Sequence, residues 1–242
     1  MRALVTGADG FVGRYLVDLL ISAGDDVTES AVDITDRGNL INAFTEAAPE
    51  VVYHLAAQAD VGGSWDAPIE TYRVNVEGTV NVLDSARLAG ATRVLAITSA
   101  DIYGRVHESD LPLTETQPLR PVSPYAASKA AAEMACIQAG FGHGLEVIRV
   151  RAFNHLGPGQ SDRFVASAIA SRVAQNELNG ETFVRVGNLE ARRDYTDVRD
   201  VVRAYRMLMI DGQTGETYHV CTGVDRPVNE LADTLLSLAS IP

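Results

Sequence analysis

Glycines at positions 7, 10 and 13 constrain the fold of this 242-residue chain more than any other feature. They lie between an apolar run, residues 2–6, that reads as a buried strand, and a segment in which Phe11, Val12, Tyr15, Leu16, Leu19 and Leu20 recur at helical spacing. Residues without Cβ permit a tight turn and a close backbone approach, and the helix that follows offers free N–H groups to a pyrophosphate. A strand before and an amphipathic helix after are the context in which such a pattern reads as a dinucleotide site. Gly7, Gly10 and Gly13, with Phe11 and Val12 at the helix start, are its expected members.

The alternation continues. Strand-like runs at 26–32, 51–57, 93–98 and 145–150 are separated by helical patterns at 37–48, 69–88 and 123–140. Continuous apolar strands that alternate with helices predict an α/β fold of the Rossmann type, a doubly wound parallel sheet covered on both faces. Residues 1–151 are expected to form this dinucleotide-binding domain. Residues 152–242 are expected to form a smaller, interleaved substrate-binding annex with a strand at 182–186, a helix near 198–210, a strand at 215–220 and a helix from about Val228.

Composition removes several functions. A net charge of −12 argues against a nucleic-acid binder. Cys136 and Cys221 are far apart and suit a reduced, cytoplasmic protein, and five scattered histidines predict no metal site. No apolar run approaches the ~20 residues that span a bilayer, and the first ten residues read as a strand and turn rather than a signal peptide.

On the adenosine side, Glu29 and Asp33 are the acidic candidates; Asp33 lies twenty residues after Gly13. An acid there favours a free ribose 2′-hydroxyl, whereas Arg14 would suit a 2′-phosphate, so NAD and NADP both stand. Tyr125 and Lys129 are four apart, hence on one helix face, behind Ser123 and Pro124, which suit a helix start. An ammonium beside a phenol favours the phenolate, and such a pair can exchange a proton at a sugar oxygen while hydride moves. Lys129 is also the single lysine among twenty basic residues, the other nineteen being arginine. It marks a place where an ammonium does what a guanidinium does not.

Taken in order, the glycine turn, His54-Leu55-Ala56-Ala57-Gln58, Thr98-Ser99-Ala100-Asp101-Ile102-Tyr103-Gly104, Tyr125-Ala126-Ala127-Ser128-Lys129 and Arg151-Ala152-Phe153-Asn154 resemble the extended short-chain dehydrogenases/reductases that act on nucleotide sugars. Residues 54–65, 151–160 and 187–205 are similar to the branch that handles GDP-mannose derivatives, the 4-keto-6-deoxy-mannose reductases and the 4,6-dehydratases. The resemblance implies NAD(P)H as cofactor, with Ile34, Leu55, Ala56, Ala57 and Asn75 alongside it. It implies that Ser99 donates to the substrate C4 oxygen beside Tyr125. Asn154 and Arg193 would grip the nucleotide diphosphate, and Gly187, Asn188 and Glu190 would line the nucleotide pocket. It also implies a homodimer built from helices at 71–90 and 124–140, and members that run several dozen residues further at the C-terminus.

Asp101 bears on the choice of reaction. The resemblance places it where dehydratases carry a Glu that removes the C5 proton. Asp is one methylene shorter, and such a retreat weakens a proton transfer. Reduction of a C4 ketone in a GDP-4-keto-6-deoxy-hexose needs no such base, so reduction is the favoured reading, with Asp101 shaping the pocket. The 4,6-dehydratase, a nucleotide-sugar 4-epimerase and a non-catalytic dinucleotide-binding protein are the alternatives.

Overall fold

The computed structural model describes residues 1–181 and 183–239. The chain forms two compact units: Met1–Phe153 with Arg199–Val220, and Asn154–Val198 with the chain from Cys221 onward. In chain order the elements are β1 (Arg2–Thr6), α1 (Phe11–Ser22), β2 (Asp26–Ser30), α2 (Arg37–Ala47), β3 (Val51–His54), the short turns α3 (Gly63–Asp66) and α4 (Pro68–Tyr72), a π-helical turn (Arg73–Glu77), α5 (Gly78–Leu88), β4 (Arg93–Ser99), α6 (Pro124–His143), β5 (Glu146–Ala152), β6 (Asn154–Leu156), α7 (Val165–Asn179), β7 (Arg192–Asp197), α8 (Val198–Asp211), β8 (Thr217–Val220), β9 (Asp225–Pro227) and α9 (Val228–Ser237).

The first unit is built on a six-stranded sheet of order β2-β1-β3-β4-β5-β8, with every pair parallel. Its central strands β1, β3, β4 and β5 are largely apolar on both faces because both faces are covered. Ala3, Val5, Val51, Tyr53, Leu95, Ile148 and Val150 pack with Leu16 and Leu20 of α1 and Val201, Val202, Tyr205 and Met209 of α8. The alternate residues Leu4, Val52, Val94, Ala96 and Val147 pack with Leu40 and Phe44 of α2, Val82, Leu83 and Ala86 of α5, and Cys136 and Ala139 of α6. The chain runs from β1 outward to β2, then returns to place β3 on the other side of β1. That reversal opens a crevice beyond the carboxyl ends of β1 and β3, where ligands of such sheets bind.

The second unit has a three-stranded sheet of order β6-β7-β9, with β6 parallel and β9 antiparallel to β7. Its small core joins Ile169 and Val173 of α7 to Val228 and Ala232 of α9.

Two expectations change. The annex does not take all of residues 152–242: residues 199–220 return to the first unit, because α8 buries Val201, Val202, Tyr205 and Met209 on the sheet and β8 pairs with β5. The strand expected at 182–186 is absent from 183–186, the part of it that is described. There the carbonyls of Phe183 and Arg185 accept from the side chains of Asn176 (2.5 Å) and Arg172 (2.7 Å) on α7, so they serve a helix rather than a strand.

Candidate active site

At the crevice, Gly7 turns at φ +69°, and a Cβ there would sit 2.8 Å from the backbone N of Ala56. A Cβ on Gly13 would overlap the Gly7 carbonyl and stand 2.7 Å from Ala8 Cα. The turn closes by Gly10 N–H to Gly7 O (3.1 Å), and α1 then begins with no side-chain cap on its N-terminus. Uncapped N–H groups behind a glycine turn, approached closely by Ala56, form a cradle that fits a pyrophosphate. The buried Ser30 hydroxyl ends β2 without a hydrogen-bond partner among the described residues, which fits a polar ligand group at that strand end.

The other residues expected to meet the coenzyme are placed as follows. Leu55, Ala56 and Ala57 leave β3; Leu55 N–H donates to Thr6 O at 3.2 Å. Ile34 is buried against Gly78, and its carbonyl accepts from Asn81 Nδ2 at 3.0 Å. Asp33 is exposed, and Thr35 donates to Oδ1 from both its N–H (2.9 Å) and its hydroxyl (2.8 Å). Those bonds hold the carboxyl below its usual range. Asn75 lies in the π-helical turn, buried, with Oδ1 accepting from Gln58 N–H (2.8 Å) and Nδ2 donating to Gln58 O (3.1 Å) and Ser128 Oγ (2.9 Å).

α6 starts as its sequence requires. Pro124 opens the helix, and the Ser123 hydroxyl accepts from Ala126 N–H at 3.1 Å. Tyr125 N–H, a second early donor, goes to the buried Ser64 hydroxyl at 3.2 Å. Tyr125 and Lys129 share one buried face. Ser99, at the end of β4, accepts from Asp101 N–H at 3.1 Å, and its side chain acts on the Tyr125 phenol. Lys129 Nζ donates to Ile97 O at 3.0 Å. Asp101 follows in a short 3-10 turn and is exposed.

The electrostatics differ from the sequence-based expectation. Burial pushes Tyr125 up to about 12; the Ser99 side chain opposes this, and the nearby Asp101 charge adds to it. Burial also brings Lys129 down to about 8. Desolvation of both groups outweighs any pull of the ammonium on the phenol, whose proton is therefore held at neutral pH.

The sequence reading missed a set of groups beside this site. Glu133, one turn beyond Lys129 on the same face of α6, is buried and accepts from Thr98 Oγ1 (3.1 Å) and from Arg151 Nε (3.1 Å) and Nη2 (2.5 Å). Arg151 Nη1 also donates to Tyr103 Oη (2.5 Å) and Glu115 O (2.8 Å), and Tyr103 Oη pairs with His219 Nε2 (2.5 Å). A fully engaged buried ion pair specifies geometry more than it stabilises; here it joins α6 to β5, and the Thr98 bond to the same carboxylate ties α6 to β4, the strand that carries Ser99. The available signal was the four-residue step from Tyr125 to Lys129 to Glu133.

The remaining candidates lie in the second unit. Asn154 begins β6 opposite Tyr195 of β7, and Arg193 in β7 pairs with Arg226 of β9. Arg193 Nη1 donates to Arg192 O at 2.7 Å, and Glu190 N–H donates to Asn188 Oδ1 at 3.0 Å in a local turn. Asn154, Gly187, Asn188, Glu190 and Arg193 are all exposed. Among the described residues no cluster of His, Cys, Asp or Glu has the arrangement to hold a metal, and no helix is long and apolar enough to cross a membrane.

A parallel sheet with a glycine turn at its switch point and a Ser–Tyr–Lys set along β4 and α6 defines an NAD(P)-dependent oxidoreductase of the short-chain dehydrogenase/reductase type. The chain belongs to the NAD dependent epimerase/dehydratase family, which it matches over residues 3–221. It is 36% identical to GDP-6-deoxy-D-mannose reductase from Pseudomonas aeruginosa, over 99% of this chain and 81% of that protein. It is 33% identical to UDP-glucose 4-epimerase from Mycolicibacterium smegmatis, over 100% of this chain and 84% of that protein. The solved structure of RMD from Pseudomonas aeruginosa complexed with NADPH superposes with a TM-score of 0.91 at 35% identity, covering 99% of this chain and 82% of that one. The family resemblance read from the motifs is borne out.

Proposed function

We propose that this chain reduces the C4 ketone of a GDP-4-keto-6-deoxy-hexose with NAD(P)H. The observation that carries the reading is the buried Tyr125 phenol, which keeps its proton on the face of α6 it shares with Lys129 and whose pKa the Ser99 side chain at the end of β4 lowers. Reduction of a ketone needs a proton donor at the oxygen, and a phenol pushed up to about 12 keeps its proton until charge develops. The 36% identity to a GDP-6-deoxy-D-mannose reductase supports the same direction.

Bound NAD(P)H supplies the hydride. Ser99 Oγ accepts from Asp101 N–H, which leaves its own proton to donate to the C4 oxygen. Tyr125 then passes its proton to that oxygen. Lys129 keeps a positive charge next to the reacting groups; an ammonium has three donors, so the bond to Ile97 O does not exhaust it. Asp101, exposed and short, shapes the pocket mouth rather than acting as a C5 base. Asn154 and Arg193 serve the diphosphate, and Gly187, Asn188 and Glu190 serve the base. In the same reading the enzyme is a cytoplasmic homodimer. Exposed apolar side chains on α4–α5 (Ile69, Val80) and α6 (Met134, Phe141) suit a helical interface.

The test is turnover by the purified protein. The keto sugar should be consumed in step with oxidation of added NADH or NADPH. Conversion of GDP-mannose to the keto sugar without added reductant would instead make it a dehydratase. Interconversion of two nucleotide sugars without net redox would make it an epimerase.

The reading also sets a pH dependence. Lys129 is brought down from 10.5 to about 8, so its charge is lost as pH rises through about 8. The kcat/KM profile, which reports the free enzyme, should fall on that alkaline side. In Lys129→Arg the plateau should drop by about 10-fold or more, because a guanidinium does not fit the ammonium's place. Its alkaline limb should also disappear, since arginine stays charged past about pH 12. An unchanged limb in Lys129→Arg would assign it to another group.

A further inference from the structure

A chain of buried polar side chains runs beneath the site from the glycine turn to the Tyr–Lys helix. Its members are Thr6, His54, Thr79, Asn75 and Ser128, none more than 5% exposed. Thr6 is the residue before Gly7, His54 ends β3, Asn75 and Thr79 lie on the π-helical turn and the start of α5, and Ser128 sits between Tyr125 and Lys129 on α6.

The donors and acceptors resolve to one arrangement. Thr79 Oγ1 donates to Asn75 O at 2.7 Å, so toward His54 Nε2, 2.9 Å away, it can only accept. His54 therefore carries its proton on Nε2. Its Nδ1 must then accept, and the partner is the Thr6 hydroxyl at 2.9 Å. Thr6 Oγ1 in turn accepts from Ala56 N–H at 3.3 Å, the backbone N that a Cβ on Gly7 would strike. At the other end Asn75 Nδ2 donates to Ser128 Oγ at 2.9 Å, and the Ser128 hydroxyl donates to Tyr125 O at 2.7 Å. Burial and the Lys129 charge hold the imidazole neutral, with its pKa brought down to about 3. A charged ring would have two donors, and the bond from Thr6 would be lost.

We propose that His54 is a positioning residue: as a fixed neutral Nε2–H imidazole it locks Thr6 to Thr79 and Asn75, and through Ser128 it sets the Tyr125–Lys129 turn relative to the glycine turn. The role rests on the reading that Tyr125 and Lys129 act at the substrate oxygen. A structural role alone would be served by apolar side chains of similar shape, whereas a fully satisfied polar chain fixes a single geometry. A π-helical turn at Asn75 fits this, since such turns interrupt a regular helix where a side chain must be aimed. Small displacements of reacting groups reduce rates steeply while binding survives.

Two measurements on the full chain test it. Nitrogen-15 NMR of the imidazoles should show one histidine as the neutral Nε2–H tautomer, with no titration between about pH 5 and 9, and Thr79→Val should alter that signal. In kinetics, His54→Leu and Thr79→Val should each lower kcat by about 30-fold. Coenzyme Kd should stay within about 3-fold, and the double variant should be no worse than either single one. Thr79→Ser, which keeps the hydroxyl, should remain within about 2-fold of the parent. A titrating or Nδ1–H His54 overturns the proposal. So does a loss that Thr79→Ser shares, or an unchanged kcat in Thr79→Val. The NMR needs no substrate, so an inactive parent protein would overturn the reductase reading alone and leave the tautomer to decide on His54.

Discussion

Tyr125→Phe is expected to lower kcat/KM for the keto sugar by about 10³-fold while coenzyme affinity stays within a few-fold. The phenol is buried and protonated and is influenced by the Ser99 side chain, so in this mechanism its oxygen is the proton source next to the substrate's C4. Removing that oxygen leaves the ring packing and the caps on α6 intact, because Ser123 and Ser64 hold backbone N–H groups rather than the side chain. Steady-state oxidation of reduced coenzyme gives the rate, and a thermal melt separates chemistry from folding. Ser99→Ala should lose about 10²-fold by removal of a donor to the developing oxyanion. A Tyr125→Phe enzyme within about 3-fold of the parent would show that the proton comes from elsewhere, and the mechanism would fall.

Gly13→Ala is the second large effect, and it acts on the fold and the coenzyme together. The added Cβ would collide with the Gly7 carbonyl and the Ala8 backbone, atoms that cannot swing aside like a side chain. Either α1 moves off β1 or the turn opens, and both spoil the N–H cradle. Overpacking of this kind costs about 3 kcal/mol or more when backbone must shift. In a chain of this size that lowers Tm by roughly 6–12 °C. Coenzyme affinity should fall by about 100-fold, since the pyrophosphate site is the displaced part. Gly10→Ala is the graded control: its Cβ would be 3.1 Å from the Gly7 carbonyl, a contact relieved by a few tenths of an ångström. A Gly13→Ala protein with unchanged melting and unchanged coenzyme titration would show that close helix–strand approach is not what this glycine provides.

Much of the first unit could be read from residues because its signals are local. Apolar runs bounded by turns became β1, β3, β4 and β5, and the helical spacing of Phe11 to Leu20 became α1. Tyr125 and Lys129 lie on one face because a helix has only one way to place residues four apart. The second unit was harder for the same reason. β6 and β9 have three residues each, and β7 is Arg-Arg-Asp-Tyr-Thr-Asp, with neither alternation nor an apolar run. Such strands exist only through their partners. The apolar run near 183–186 looked like a strand, but helix side chains from α7 took its carbonyls.

The sequence by itself determined the glycine turn, the parallel sheet and the pairing of Tyr125 with Lys129 on one helix, since each follows from spacing within one short segment. Only the tertiary structure decided that the phenol keeps its proton, that Glu133 and Arg151 are a buried pair, and that residues 199–220 complete the first sheet. Those properties depend on which distant residues exclude water or complete a hydrogen bond, and no local pattern carries that information.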